Sequence, residues 1–128
     1  MEPLANAEVI AFTATRDPER AKLFYGQTLG LALVEDSPFA LVFSAGATML
    51  RVQKLEVFIP APYTVLGWKV DDIRATIEAL VSRGVVFERY SFMQQDELGI
   101  WTTPDGSKVA WFRDADGNIL SLTQFTAA

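Results

Sequence analysis

The residue types that could do chemistry here are few, and two of the most useful are absent. The chain of 128 residues has no histidine and no cysteine. Histidine is the commonest metal ligand and the commonest general base, so both roles lose their usual carrier. Thiolate catalysis, Cys/His zinc sites, Ser-His-Asp triads and two-His-one-carboxylate iron sites are excluded outright. What remains is Trp68, Trp101 and Trp111, the cations Arg51 and Lys69, the phenol of Tyr90, and the polar run Gln94-Gln95-Asp96-Glu97. Tryptophans can stack on a flat or cationic ligand. The polar run could form a lid or offer carboxylates to a cation, although acidic loops are most often only solvated. Lys69, Tyr90 or a loop carboxylate could act as acid or base, but no nucleophile–base pair can be identified.

Elements must aim those side chains. The clearest is Asp114-Ala115-Asp116-Gly117-Asn118 running into Ile119 to Phe125. It reads as a tight turn feeding a strand of alternating apolar and polar residues. Asp114 and Asp116 can accept hydrogen bonds from nearby amides, and Gly117 suits a positive φ. Upstream, Val9 to Thr15 predicts a strand. Asp17-Pro18-Glu19 then predicts a helix start, with Ala21, Phe24, Tyr25 and Thr28 on one face and Gly30 at the end. Strands follow at Leu31 to Asp36, Phe39 to Ser44 and Thr48 to Lys54.

Pro60-Ala61-Pro62 interrupts regular structure, and the order then repeats. Thr64 to Val70 predicts a strand, and Asp71-Asp72 caps a helix with Ile73, Ile77, Leu80 and Val81 on its face. Gly84 ends that helix. Strands are expected at Val85 to Tyr90, Gly99 to Thr103, Lys108 to Arg113 and Ile119 to Phe125, with Pro104-Asp105-Gly106 as a turn. The stretch Gly46 to Gln53 loosely mirrors Gly117 to Gln124. Each half, at about 60 residues, is marginal for burying its own core, so one shared domain over 1–128 is expected, with modules at about 8–58 and 63–126.

Composition sets outer bounds. Half the residues are apolar and the net charge is −5. There is no basic cluster, which argues against nucleic acid. No apolar run is long enough to span a bilayer, and the N-terminus lacks the pattern of a signal peptide. With no cysteine, a cytoplasmic location is the default expectation. The acidity favours a cationic ligand. Arg51 and Lys69, if they face inward, favour an anionic one instead, because an unpaired buried cation is costly. The sequence leaves that open.

On these residues the chain resembles the vicinal-oxygen-chelate superfamily of glyoxalase, bleomycin-resistance and extradiol dioxygenase proteins. The resemblance rests on Arg16-Asp17-Pro18-Glu19-Arg20-Ala21, Phe24-Tyr25, Leu29-Gly30-Leu31, and Phe112 through Leu122. It implies an α+β fold of two βαβββ modules, with half-barrel sheets around a shared cleft, helices on the outer faces, and assembly as a homodimer. Metal-dependent members place four ligands on the cavity strands. Those places fall here on Ile10, near Arg51, on Val65 or Thr64, and on Ser121. None is an imidazole or a carboxylate, so no metal or other cofactor is expected.

The resemblance, combined with strict strand alternation, makes Phe12, Arg51, Gln53, Lys69, Trp101, Trp111, Ser121 and Thr123 the candidate ligand-binding residues. Trp68 falls on the helix-facing side by the same alternation. The function expected is binding or sequestration of a small, partly aromatic molecule without a metal. The alternatives are a lyase or isomerase using other acid/base residues, or a metal-dependent lyase or dioxygenase with atypical ligands.

Overall fold

Both helices begin where an aspartate can cap them. In the computed structural model, which describes residues 2–126, the Asp17 carboxylate accepts from the amide of Arg20 at 3.2 Å. The Asp72 carboxylate does the same for Ala75 at 3.1 Å. Each cap satisfies one of the amides that a helix start leaves orphaned. The chain divides into two compact units, one ending at Phe58 and the other beginning at Ile59.

In the first unit, strand β1 (Ile10–Thr15) leads into helix α1 (Pro18–Leu23). A π-helical turn over Phe24–Thr28 follows, before β2 (Ala32–Asp36), β3 (Ala40–Ala45) and β4 (Thr48–Lys54). The expected single helix to Gly30 is therefore two helical pieces. The wider turn keeps Tyr25 fully buried against Phe43, with ring centroids 5.7 Å apart. The sheet order is β1-β4-β3-β2, with β1 and β4 parallel. Alternation works as expected on β4: Leu50 and Val52 are fully buried, while Met49 and Gln53 are exposed.

In the second unit, β5 (Thr64–Lys69) precedes helix α2 (Ile73–Ser82), then β6 (Trp101–Thr102), β7 (Lys108–Arg113) and β8 (Ile119–Gln124). Sheet order β5-β8-β7-β6 repeats that of the first unit, again with the outer pair parallel. The mirrored stretches Gly46 to Gln53 and Gly117 to Gln124 thus hold β4 and β8, the matching strands of the two sheets. Ile73, Ile77 and Leu80 of α2 are buried as expected, but Val81 is 51% exposed. The Gln124 side chain accepts from the amide of Ile73 at 2.8 Å, tying the last strand to the start of α2.

Two expectations need correction. Val85 to Tyr90 is not a strand; it touches the sheet only through a bridge from Phe87 to Phe112 and a bond from the Glu88 amide to Trp111 O. Its backbone is claimed elsewhere: Gln95 accepts from the Tyr90 amide at 2.7 Å and donates to Glu88 O at 3.0 Å. The strand expected over Gly99 to Thr103 shrinks to Trp101–Thr102. The outer edge of β7 is therefore shared by two short pieces of chain. Among the described residues no helix is long and apolar enough to cross a membrane.

The β7–β8 turn is closed by one buried carboxylate. Asp114 accepts from the amides of Asp116 and Asn118, both at 2.9 Å, and from the Asn118 side-chain amide at 2.8 Å. Gly117, with φ 92°, supplies the left-handed step the turn requires. Replacing Asp114 with Ala strands three donors; a loss of about 2–4 kcal/mol is expected. Chemical denaturation of the two proteins measures it, and a change below about 0.5 kcal/mol would contradict this role.

Candidate functional site

One face of each sheet carries a helix, and the other is open to side chains of mixed character. On the second sheet the register aligns Gly67, Ser121 and Trp111 in one row across β5, β8 and β7. The next row is Lys69, Thr123, Val109 and Trp101. Five of the candidate residues therefore lie on this single face. Trp68 pairs with Leu122 on the opposite, helix-bearing side, as alternation requires.

Trp111 lies across the sheet. Its indole Nε1 donates to the Thr64 hydroxyl at 3.1 Å, although Trp111 is on β7, Thr64 is on β5, and β8 runs between them. The indole therefore crosses β8 above Ile119 and Ser121, both of which are buried. Trp101 continues the aromatic surface, its centroid 6.3 Å from that of Trp111 and its plane tilted by 32°. Tyr90 stands nearly perpendicular to Trp111, at 5.7 Å and 81°, and is backed by Phe92 at 5.5 Å. The result is a floor of two indoles and a phenolic wall. Burial and the Glu88 carboxylate push the Tyr90 phenol up, against the opposing pull of Arg113. Tyr90 thus remains a neutral hydrogen-bonding group at physiological pH.

The sequence alone does not single out Phe92, and it points to Tyr90 only as an acid or base. Alternation held the signal. With Phe87 buried, Glu88 and Tyr90 share the opposite side, the one that Trp111 occupies. A bulge between Thr64 and Leu66 also resets β5, bringing Thr64 opposite Ile119 on the open face. Strict counting from Val65 could not reveal that shift.

The polar loop is an architectural tie. Gln95 spans Tyr90, Glu88 and Gly99. Asp96 accepts from the amides of Leu98 and Ile100, both at 2.9 Å. Arg74 of α2 reaches Asp96 at 3.4 Å and Glu97 at 2.9 Å. That guanidinium holds the Glu97 carboxyl below its usual range. These carboxylates are thus already engaged with α2 and with the loop's own backbone.

On the first sheet, Phe12, Arg51 and Val42 share a row on the open face, with Ala14, Gln53 and Ala40 in the next. Phe12 is 49% exposed. Arg51 is half-buried and has no hydrogen-bond or ion-pair partner among the described residues. A hollow of about 220 Å³ opens at one end of this sheet, beside Ser44 and Met49.

The places that the resemblance assigns to metal ligands carry a hydrocarbon at Ile10, a guanidinium at Arg51 and hydroxyls at Thr64 and Ser121. The remaining alternative is another hydrocarbon, Val65. Divalent metals in such folds take imidazole, carboxylate or thiolate donors, so this set does not fit one. Among the described residues no group of three or more His, Cys, Asp or Glu could hold a metal ion.

Gly67 makes room for Ser121. A Cβ at Gly67 would lie 2.6 Å from the Ser121 hydroxyl oxygen, inside van der Waals contact. Gly67→Ala should therefore destabilise the protein more in the native background than alongside Ser121→Ala. A coupling of about 0.5–1 kcal/mol is expected from a denaturation double-mutant cycle. Additive effects would show that the two positions do not constrain each other.

No curated protein matches the chain in sequence. Among solved structures, it is similar to an antibiotic binding protein from Streptomyces sp. CB03234, at 25% identity and a TM-score of 0.70, covering 94% of this chain and 98% of that one. It is similar to a bleomycin resistance determinant encoded on the transposon Tn5, at 19% identity and a TM-score of 0.74, with 94% and 98% covered. Lactoylglutathione lyase from Agrobacterium tumefaciens matches at 20% identity and a TM-score of 0.68, with 91% and 92% covered. The last two likenesses speak for the fold alone. The family model for the glyoxalase/bleomycin resistance protein/dioxygenase superfamily matches residues 9–122. The chain belongs to that superfamily.

Proposed function

We propose that this protein binds or sequesters a small, partly aromatic molecule on the open face of its second sheet, without a metal. The observation that carries the reading is the Trp111 indole reaching across β8 to Thr64, flanked by Trp101 and by the Tyr90 ring nearly perpendicular to it. Such an arrangement offers a ring one face to stack on and one edge to meet. Thr123 supplies a hydroxyl in the adjoining row and Lys69 a charge, with Ser121 buried beneath the indole. Phe12, Arg51 and Gln53 are proposed as ligand contacts on the open face of the first sheet, taken by itself. Likeness to an antibiotic binding protein supports binding over turnover.

Binding is expected to quench tryptophan fluorescence saturably, and Trp111→Ala should weaken it at least about tenfold, the equivalent of one stacked ring. EDTA should leave the affinity unchanged. Stoichiometric nickel, zinc, iron or manganese in the purified protein, together with loss of binding on chelation, would overturn metal independence.

A homodimer in the cytoplasm is part of the same reading. β2 exposes all five of its residues and forms one edge of its sheet, and such edges invite pairing. Light scattering at tens of micromolar should give twice the chain mass; a monomer would refute the dimer.

A further inference from the structure

We infer that the ligand is a fused, planar aromatic ring system carrying an acidic group, with the rings on Trp101 and Trp111 and the acid directed at Lys69. This rests on the binding function proposed above and narrows its chemistry. Two observations on the same face carry it.

The first is the width of the aromatic floor. The two indole centroids are 6.3 Å apart and their planes are tilted by only 32°. A single six-membered ring can cover one of them, whereas a bicyclic or tricyclic system can lie against both. Tyr90, at 81° to Trp111, meets the edge of that system rather than its face. Edge-to-face and offset-stacked contacts are the arrangements aromatic groups favour.

The second is the disposition of charge. The carboxylate nearest the aromatic wall, Glu88, is occupied by Arg113 at 2.6 Å. Lys69 lies in the row that ends in Trp101, three strands away, or about 14 Å between backbones at the usual strand spacing of about 4.8 Å. It is exposed and has no partner among the described residues. Between Lys69 and the indoles the face carries Gly67, Ser121, Thr123 and Val109, none of them larger than an isopropyl group. A flat ligand can cross that ground unobstructed, and its far end then meets an ammonium. The net charge of −5 acts from distances that salt largely screens beyond about 8–10 Å, so the nearby cation decides the preferred sign.

The test uses the full chain and five probes: 2-naphthoate, anthraquinone-2-carboxylate, benzoate, neutral 2-naphthamide and 2-naphthylmethylammonium. Affinities are read by tryptophan quenching and calorimetry. The fused acids should bind at least about tenfold tighter than benzoate and than the amide, with the ammonium weakest. Lys69→Ala should collapse the naphthoate-to-naphthamide affinity ratio towards one, and Lys69→Arg should restore it. Circular dichroism of each variant checks that it is folded. Saturable binding with no preference for acid, or with the ammonium preferred, would overturn the ligand class while leaving the binding function standing. Benzoate binding as tightly as the fused acids would overturn the width argument. No saturable response to any probe would remove both.

Discussion

The second sheet depends on how one buried carboxylate is satisfied. Asp114, 7% exposed, accepts three hydrogen bonds from the turn it opens. A carboxylate removed from water is tolerated only when its oxygens are so occupied. Closing the turn fixes the register of β7 on β8, and that register puts Trp111 opposite Ser121 and Val109 opposite Thr123. A slip of one residue would send Trp111 to the helix side and turn Phe112 outward, because strand side chains alternate with a period of two. Stacking surface, hydroxyls and core therefore share one geometric reference.

The parts legible in the sequence were those set by local chemistry. Asp17 and Asp72 announced their helices because a cap needs a short polar side chain just before the first turn. Alternation on β4 separated the buried from the open residues, and the likeness of Gly46–Gln53 to Gly117–Gln124 identified equivalent strands. What stayed hidden was set by distant partners. Val85 to Tyr90 has the composition of a strand, but Gln95 takes the backbone groups a neighbouring strand would have used. The π-helical turn that starts at Phe24 answers to Phe43, which packs on Tyr25 from eighteen positions downstream. The bulge at Val65 moves Thr64 into the indole's reach, and nothing local marks it.

Most of the described cations near these sheets already have work. Lys22 and Lys54 share Asp36, Arg74 holds the acidic loop, Arg89 donates to the carbonyls of Asp96 and Glu97, and Arg113 takes Glu88. Arg51 and Lys69 stand apart, each on the open face of its own sheet and each on a strand of the parallel pair. An acidic protein that leaves two cations uncommitted on such faces has local potentials opposite in sign to its overall charge. Net charge governs solubility and encounter, whereas the nearest group governs what is held.

The shared edge of β7 has a consequence for how such a protein can change. Phe87 and Trp101 border the same strand but are joined by thirteen intervening residues pinned by Gln95 and Asp96. The floor and the upright ring are thus specified by separate stretches of chain. Lengthening, shortening or replacing the link between them alters the opening without disturbing the hairpin that sets register. Mutation in the link retunes selectivity at the expense of its own ties to α2 and to Tyr90, while the β7–β8 hairpin keeps its register, which makes this segment the natural place for diversification among proteins built on the same frame.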